Sequence, residues 1–93
     1  MSNMAVAAIK IKLMPEGLDT NLEDIKTKVK EKASGLGAMN ISFTEENIAF
    51  GLKAIIAMLA WPEEKDTSLL ETELASIEGI SSAQIIDYRR AFG

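Results

Sequence analysis

The residue types that carry most enzyme chemistry are missing from this chain. It contains no histidine and no cysteine, so an imidazole base, a thiolate nucleophile, a disulfide and the usual kinds of zinc site are excluded. Acidic pairs remain at Glu45-Glu46 and Glu63-Glu64. Adjacent strand residues point to opposite faces, and the second pair follows Pro62 in a loop, so neither pair predicts an acid–base centre. We therefore expect no catalytic residue, no cofactor and no metal site.

The C-terminal sequence IIDYRRAFG is a candidate binding segment. It places Tyr88, Arg89, Arg90 and Phe92 within five residues of each other. Arginine and tyrosine are enriched among the residues that dominate binding energy at protein interfaces, whereas chain termini are usually polar and loosely held. On pattern alone, the segment is either a contact surface for a partner or the end of a strand with a routine surface pair.

The Phe50-Gly51 pair in EENIAFGLKAII is the second candidate. A glycine inside a strand weakens it and marks a bulge, a bend or a close approach of another backbone. In a regular strand Phe50 has the parity of Ala54 and Ile56 and would be buried with them. A bulge at Gly51 would reverse that parity, and the other alternative is that Phe50 lies at the uncovered end of the strand.

Hydrophobic periodicity predicts the elements that position these residues. Alternation with a period of two indicates strands at 5–14, 38–46, 48–61 and 82–90. Apolar residues three and four apart indicate helices at 20–33 and 68–79. Thr20 with Glu23, and Ser68 with Glu71, have the spacing of capping boxes at the helix starts. Glycines at positions 35 and 37 are expected to end the first helix, and a glycine at position 79 the second.

This order of elements predicts an α+β, ferredoxin-like β-α-β-β-α-β fold. Right-handed crossovers interleave the two halves into a four-stranded antiparallel sheet with both helices on one face. We expect one domain over residues 1–93, with the other face of the sheet left for a partner, a second copy or water. Many functions use this fold, so the fold alone does not identify one.

Composition and charge restrict the class of partner. The net charge of −4 argues against a protein that mainly grips nucleic acid. An RNA-recognition domain has this strand order but needs exposed aromatic side chains and a basic surface, and only 5% of this chain is aromatic. The longest nearly apolar run, at 54–61, is far below the roughly 20 residues that span a bilayer. With no basic leader at the N-terminus, we expect a cytoplasmic protein that binds neither nucleic acid nor membrane.

Three segments, in order, resemble the short archaeal form of the translation elongation factor 1-beta family. They are AAIKIKLMPEG followed by TNLEDIK, then EENIAFGLKAI, then SIEGISSAQIIDYRR. The resemblance covers residues 5–90 in one register, and EENIAFGLKAI is similar to the family's central strand with its Phe-Gly motif. It implies the same ferredoxin-like fold and a role as guanine nucleotide exchange factor for the GTPase elongation factor 1-alpha.

The resemblance also implies which residues contact that GTPase. Phe50 matches the contact phenylalanine of the family's Phe-Gly motif, and Arg90 stands near the position of a near-terminal lysine that reaches toward the Mg²⁺ site. Arginine carries its charge in a planar fork, which a site shaped for lysine need not accept. The alternatives for that role are therefore Arg90, Arg89 or neither. Together with the C-terminal pattern, the expected partner-binding residues are Phe50, Gly51, Lys53, Tyr88, Arg89, Arg90 and Phe92.

A ferredoxin-like ligand-sensing or oligomerisation module is the alternative function, and it would use the uncovered face of the sheet. The oligomeric state does not follow from the sequence.

Overall fold

The computed structural model describes residues 5–91. The elements follow the order β1 (Val6–Pro15), α1 (Leu22–Leu36), β2 (Met39–Asn47), β3 (Lys53–Pro62), α2 (Thr67–Ala75) and β4 (Ile80–Ala91). All neighbouring strands are antiparallel, and the strand order is β2-β3-β1-β4. The ferredoxin-like fold predicted from the sequence is therefore confirmed.

The core lies between the two helices and one face of the sheet. Alternate residues of the central strands supply the sheet side, namely Ala7, Ile9, Ile11, Leu13, Ile55, Ala57, Leu59 and Trp61. The apolar stripes of the helices supply the other side, namely Ile25, Val29, Ala33, Leu70 and Leu74. Trp61 is fully buried, and its Nε1–H donates to the Lys65 carbonyl oxygen at 3.3 Å. Within residues 5–91, neither helix is long and apolar enough to cross a membrane.

The opposite face of the sheet has no helix over it. Lys12 on β1 and Glu46 on β2 form an ion pair of 3.2 Å. Because β3 lies between those two strands, this pair passes over it, and Ala54 and Ile56 beneath are buried. Glu45 points to the helix side, so the expectation that Glu45 and Glu46 face opposite ways is confirmed.

Both predicted capping boxes are wrong. The N-cap of α1 is Asn21, whose side chain accepts from the Asp24 N–H at 3.1 Å, while the Thr20 hydroxyl accepts from the Gly17 N–H. The N-cap of α2 is Asp66, which accepts from the Ser68 N–H at 2.9 Å. In each case the N-cap is a neighbour of the predicted residue, one position later in α1 and two positions earlier in α2. Its side chain accepts a hydrogen bond from a backbone N–H of the first turn, as the predicted residue was expected to do.

The predicted helix ends also need correction. Gly35 lies inside α1, and the left-handed residue that ends the helix is Gly37, with φ of 111°. The second helix ends at Ala75, before Gly79. Glu71, the second residue of the supposed capping box, instead accepts from the Ile85 N–H of β4 at 2.8 Å.

The third strand begins at Lys53, so the prediction of a strand from residue 48 is wrong. Residues Ala49–Gly51 form a tight turn that joins β2 to β3, and Phe50 within it has non-helical φ and ψ. Phe50 and Gly51 therefore lie in a hairpin turn, outside the strand that the sequence pattern assigned to them. Neither the bulge nor the regular strand describes their conformation.

Candidate partner-binding surface

The hairpin turn holds Phe50 in an unusual backbone conformation. Phe50 has φ of 62° and ψ of 31°, and Gly51 has φ of 78°. The Leu52 N–H donates to the Ala49 carbonyl at 3.2 Å, and the Ile48 N–H donates to the Leu52 carbonyl at 2.7 Å. Two central residues with positive φ and a closing hydrogen bond are the features of a type I′ turn, in which Asn-Gly is the preferred pair.

The Phe50 side chain is 96% exposed. A bulky residue in the left-handed region is a genuine outlier and costs about 1–2 kcal/mol. An exposed aromatic ring recovers none of that cost by packing within the described chain. Such strain is concentrated at binding and catalytic sites, so this turn points to a contact made outside the chain.

A second exposed apolar side chain stands beside the turn. Leu18, in the connection between β1 and α1, is 68% exposed. A Cβ placed on Gly51 would lie 3.9 Å from Leu18 Cδ2. Between the two connections lies a cleft of about 230 Å³, which we call the end cleft; it is lined by Pro15, Gly17, Leu18, Thr20, Leu22, Gly51, Leu52 and Lys53.

Sequence reasoning missed Leu18. The available signal was its place directly after Pro15-Glu16-Gly17, where a turn is expected and polar residues predominate. An isolated surface leucine is common and needs no explanation. Its significance comes from its proximity to Gly51, which only the tertiary structure shows.

Lys53 lies at the rim of the end cleft and in a network of charges on the helix side of the sheet. Its Nζ is 3.7 Å from Glu45 Oε1, and Glu45 Oε2 is 2.8 Å from Lys26 Nζ. Lys26 Nζ also lies 3.0 Å from Glu23 Oε2. The hydrogen bond from Lys26 lowers the pKa of Glu45, and the same bond, with a smaller effect of Glu23, raises the pKa of Lys26.

The C-terminal candidates lie on β4 beyond a bulge. Lys10 is opposite Asp87 and Ile11 is opposite Ile85, so Ile86 is the additional residue. The bulge reverses the alternation that the sequence predicted for the rest of the strand. Residues after it face the side opposite to the one that a regular strand would give them.

Arg89 and Arg90 are successive strand residues and therefore face opposite sides of the sheet. The bulge decides which side each of them takes. Arg89 is level with Ala8 on the uncovered side, and its Nε lies 3.2 Å from Asp87. Arg90 is level with Ala7 on the helix side, and its Nε lies 3.6 Å from Glu63. Both arginine side chains are largely exposed.

Tyr88 faces the helix side and is 42% exposed. It borders an acidic cleft of about 510 Å³ against the start of α2, together with Glu63, Lys65, Asp66, Thr67, Glu71 and Ile85. Hydrogen bonds from Ser68, first from its backbone N–H, lower the pKa of Asp66. Phe92, the remaining predicted contact, lies outside the described residues.

The structure does not bring the two groups of candidates together. Arg90 is level with Ala7, and Ala7 with Trp61, whereas the Phe50 turn precedes Lys53 at the opposite end of β3. Eight residues separate Lys53 from Trp61, and at about 3.3 Å each they span about 26 Å. The candidates therefore form two separate surfaces, one at each end of the sheet.

The two surfaces present different chemical groups. Over residues 5–91, no group of three or more acidic side chains could hold a metal ion. The hairpin end presents apolar side chains, and the β4 end presents guanidinium groups with hydrogen-bond donors in a planar fork.

Comparison with known proteins identifies the family. The model of the EF-1 guanine nucleotide exchange domain matches residues 8–90. An elongation factor 1-beta from Methanosarcina barkeri is 38% identical over 88 residues, which cover 94% of this chain and 99% of that protein. Elongation factor 1-beta from Metallosphaera sedula is 34% identical over 94% of this chain and 97% of its own length. The chain belongs to the EF-1 guanine nucleotide exchange domain family, and its function is guanine nucleotide exchange on elongation factor 1-alpha.

Proposed function

We propose that this chain, as a single exchange domain, binds the nucleotide-free form of elongation factor 1-alpha with its two end surfaces. The first surface is the hairpin turn with Phe50, Gly51 and Lys53. The second is the end of β4, with the residues Tyr88, Arg89, Arg90 and Phe92. Exchange needs no covalent step, because a protein that prefers the nucleotide-free GTPase must weaken GDP binding by the same factor.

The observation that carries the proposal is the conformation of Phe50. Its backbone is strained and its ring is 96% exposed, so the turn is costly to the isolated chain. Burial of the ring against a partner would recover about 1.5–3 kcal/mol. This makes Phe50 the expected anchor of the first surface.

The separation of the surfaces suits a partner that is contacted at two distant places. With about 26 Å between them, one end can hold the GTPase while the other acts near its nucleotide and Mg²⁺. The arginines are suited to the second task because, among the described residues, each forms an ion pair in which its own side chain is largely exposed. An exposed ion pair stabilises a folded protein by about 0–1 kcal/mol. Either arginine can therefore exchange its ion pair in this chain for a contact with a partner at little cost.

The proposal places the protein in the cytoplasm, where the translation factors act. It requires no enzymatic activity of the chain itself. Replacement of the Mg²⁺ and phosphate contacts of the GTPase by protein contacts is sufficient.

The test is the release rate of a fluorescent GDP analogue from elongation factor 1-alpha. We expect the wild-type chain to accelerate release. Because Arg90 stands near the position of the family's near-terminal lysine, Arg90→Gln should reduce the acceleration by about tenfold or more, the loss of a charge-assisted hydrogen bond. Arg89→Gln, on the other face of the strand, is the matched control and should have a smaller effect.

Single substitutions are preferable to removal of the C-terminal residues. Arg89, Arg90 and Ala91 pair with the start of β1, so a truncation would also destabilise the sheet. A larger effect of Arg89→Gln would transfer the role to Arg89. An unchanged release rate in both variants would refute the second surface.

A further inference from the structure

The end cleft is a depression of mixed polar and apolar lining between two connections that come from different parts of the chain. Pro15, Leu22 and Leu52 contribute to its walls, and Lys53 is the charged residue among those that line it. Leu18 stands at its edge with 68% of its surface exposed. None of the contact residues that the family resemblance implies lies in the β1–α1 connection. They lie in the hairpin turn and in β4.

We infer that Leu18 and the end cleft form a second apolar contact with elongation factor 1-alpha, adjoining that of Phe50. This inference rests on the proposed function of the hairpin turn. Leu18 would be a further binding residue, and the cleft would receive an apolar side chain of the GTPase.

The size of the end cleft favours a protein side chain as its occupant. At about 230 Å³ it is smaller than the roughly 300–1,000 Å³ of sites for drug-sized molecules. Gly51 belongs both to the cleft and to the turn that carries Phe50, so a partner that contacts Phe50 comes close to this depression.

Local hydrogen bonds hold the segment that presents Leu18. The Gly17 N–H donates to Thr20 Oγ1 at 3.2 Å, and the Thr20 N–H donates to the Gly17 carbonyl at 3.3 Å. The Glu16 N–H donates to the Gly79 carbonyl at 2.9 Å, which ties the segment to the start of β4. An ordered segment loses little conformational entropy on binding, so the exposed leucine is preorganised for contact.

The test compares Leu18→Ala with Leu69→Ala. Leu69 is a matched control because it is also an exposed leucine, at 40%, and lies on α2. We expect Leu18→Ala to weaken binding to nucleotide-free elongation factor 1-alpha by about five- to tenfold, as truncation of an interface anchor does. Leu69→Ala should leave binding unchanged, and neither variant should lower the unfolding temperature appreciably.

Binding is measured by titration calorimetry and exchange by release of the fluorescent GDP analogue. Equal affinities of the Leu18→Ala and Leu69→Ala variants would overturn the inference. If Phe50→Asn weakens binding while Leu18→Ala does not, this inference fails and the proposed Phe50 contact stands. If Phe50→Asn and Leu18→Ala both bind as the wild type does, the proposal that the hairpin turn contacts the GTPase is wrong.

Discussion

Replacing Phe50 with asparagine separates what the side chain does for binding from what it does for folding. Asparagine adopts the left-handed conformation far more readily than phenylalanine and is preferred at this position of a type I′ turn. The variant therefore keeps the turn and removes the aromatic ring. Alanine would remove the ring without relieving the backbone strain.

The expected effects have opposite signs. Relief of the strain at φ of 62° should stabilise the folded chain by about 1 kcal/mol, which raises the unfolding temperature by about 4–8 °C in a domain of this size. Loss of a buried ring at the interface should cost about 1.5–3 kcal/mol of binding free energy. That corresponds to a decrease in exchange efficiency of about 10- to 150-fold.

Two measurements on the same preparation test this reasoning. Unfolding can be followed by the fluorescence of Trp61, the single tryptophan, which is buried in the core. Exchange is followed by the release of a fluorescent GDP analogue. A variant that is less stable than the wild type, with normal exchange per folded molecule, would refute the assignment of Phe50 to the interface.

Phe43→Ala is the matched control for this experiment. Phe43 lies on β2 and packs partly against the core. Its truncation should lower the unfolding temperature and leave exchange per folded molecule unchanged, which is the reverse of the pattern expected for Phe50→Asn.

Two further predictions concern the stability of the fold. The lowered pKa of Glu45 stabilises the folded chain at pH values above the ordinary pKa of 4.5, and this stability is lost as the pH falls through the folded-state pKa. The raised pKa of Lys26 stabilises the folded chain at pH values below 10.5, and this stability is lost as the pH rises through the folded-state pKa. Glu45→Gln should therefore reduce the loss of stability on acidification, as seen in urea midpoints at pH 7 and pH 3; an unchanged difference would contradict the role of this pair. Lys65 donates from Nζ to the Leu36 carbonyl at the end of α1 and lies 5.8 Å from the Trp61 ring centroid. Lys65→Met should lower the free energy of unfolding by about 1 kcal/mol, and a thermal scan that shows no decrease would refute this capping role.

Much of the fold could be predicted because its determinants are local in the chain. The alternation of Ile9, Ile11 and Leu13 with Lys10 and Lys12 sets the two faces of β1, and the structure buries the first set and leaves the lysines outside the core. Two β-α-β units in succession then leave few chain topologies. The first residues of the helices were predicted less well, because several neighbouring side chains compete to cap the first turn.

The hairpin turn was mispredicted for a specific reason. Phe-Gly is not among the usual type I′ pairs, so the aliphatic parity of residues 52 to 56 extended the strand backwards through Phe50. The positive φ of Phe50 depends on the pairing of β2 with β3 and not on local preference. Because strand pairing holds Phe50 in a backbone conformation that phenylalanine disfavours, residue preferences alone do not predict it.

By itself, the sequence determined the class of this protein. The residue inventory excluded His- and Cys-based chemistry, the period of the apolar residues defined the strands and helices, and the spacing of recognisable segments indicated the family. These properties are read along the chain and need no knowledge of distant contacts.

Only the tertiary structure decided how the surface is arranged. The bulge at Ile86 is set by pairing with β1, and it decides that Arg89 faces the uncovered side of the sheet and Arg90 the helix side. Likewise, the strand order places the Phe50 turn about 26 Å or more from the arginines, and the proximity of Leu18 to Gly51 joins segments more than thirty residues apart in the chain. Interstrand register and chain reversal are properties of pairs of segments, and no single segment encodes them.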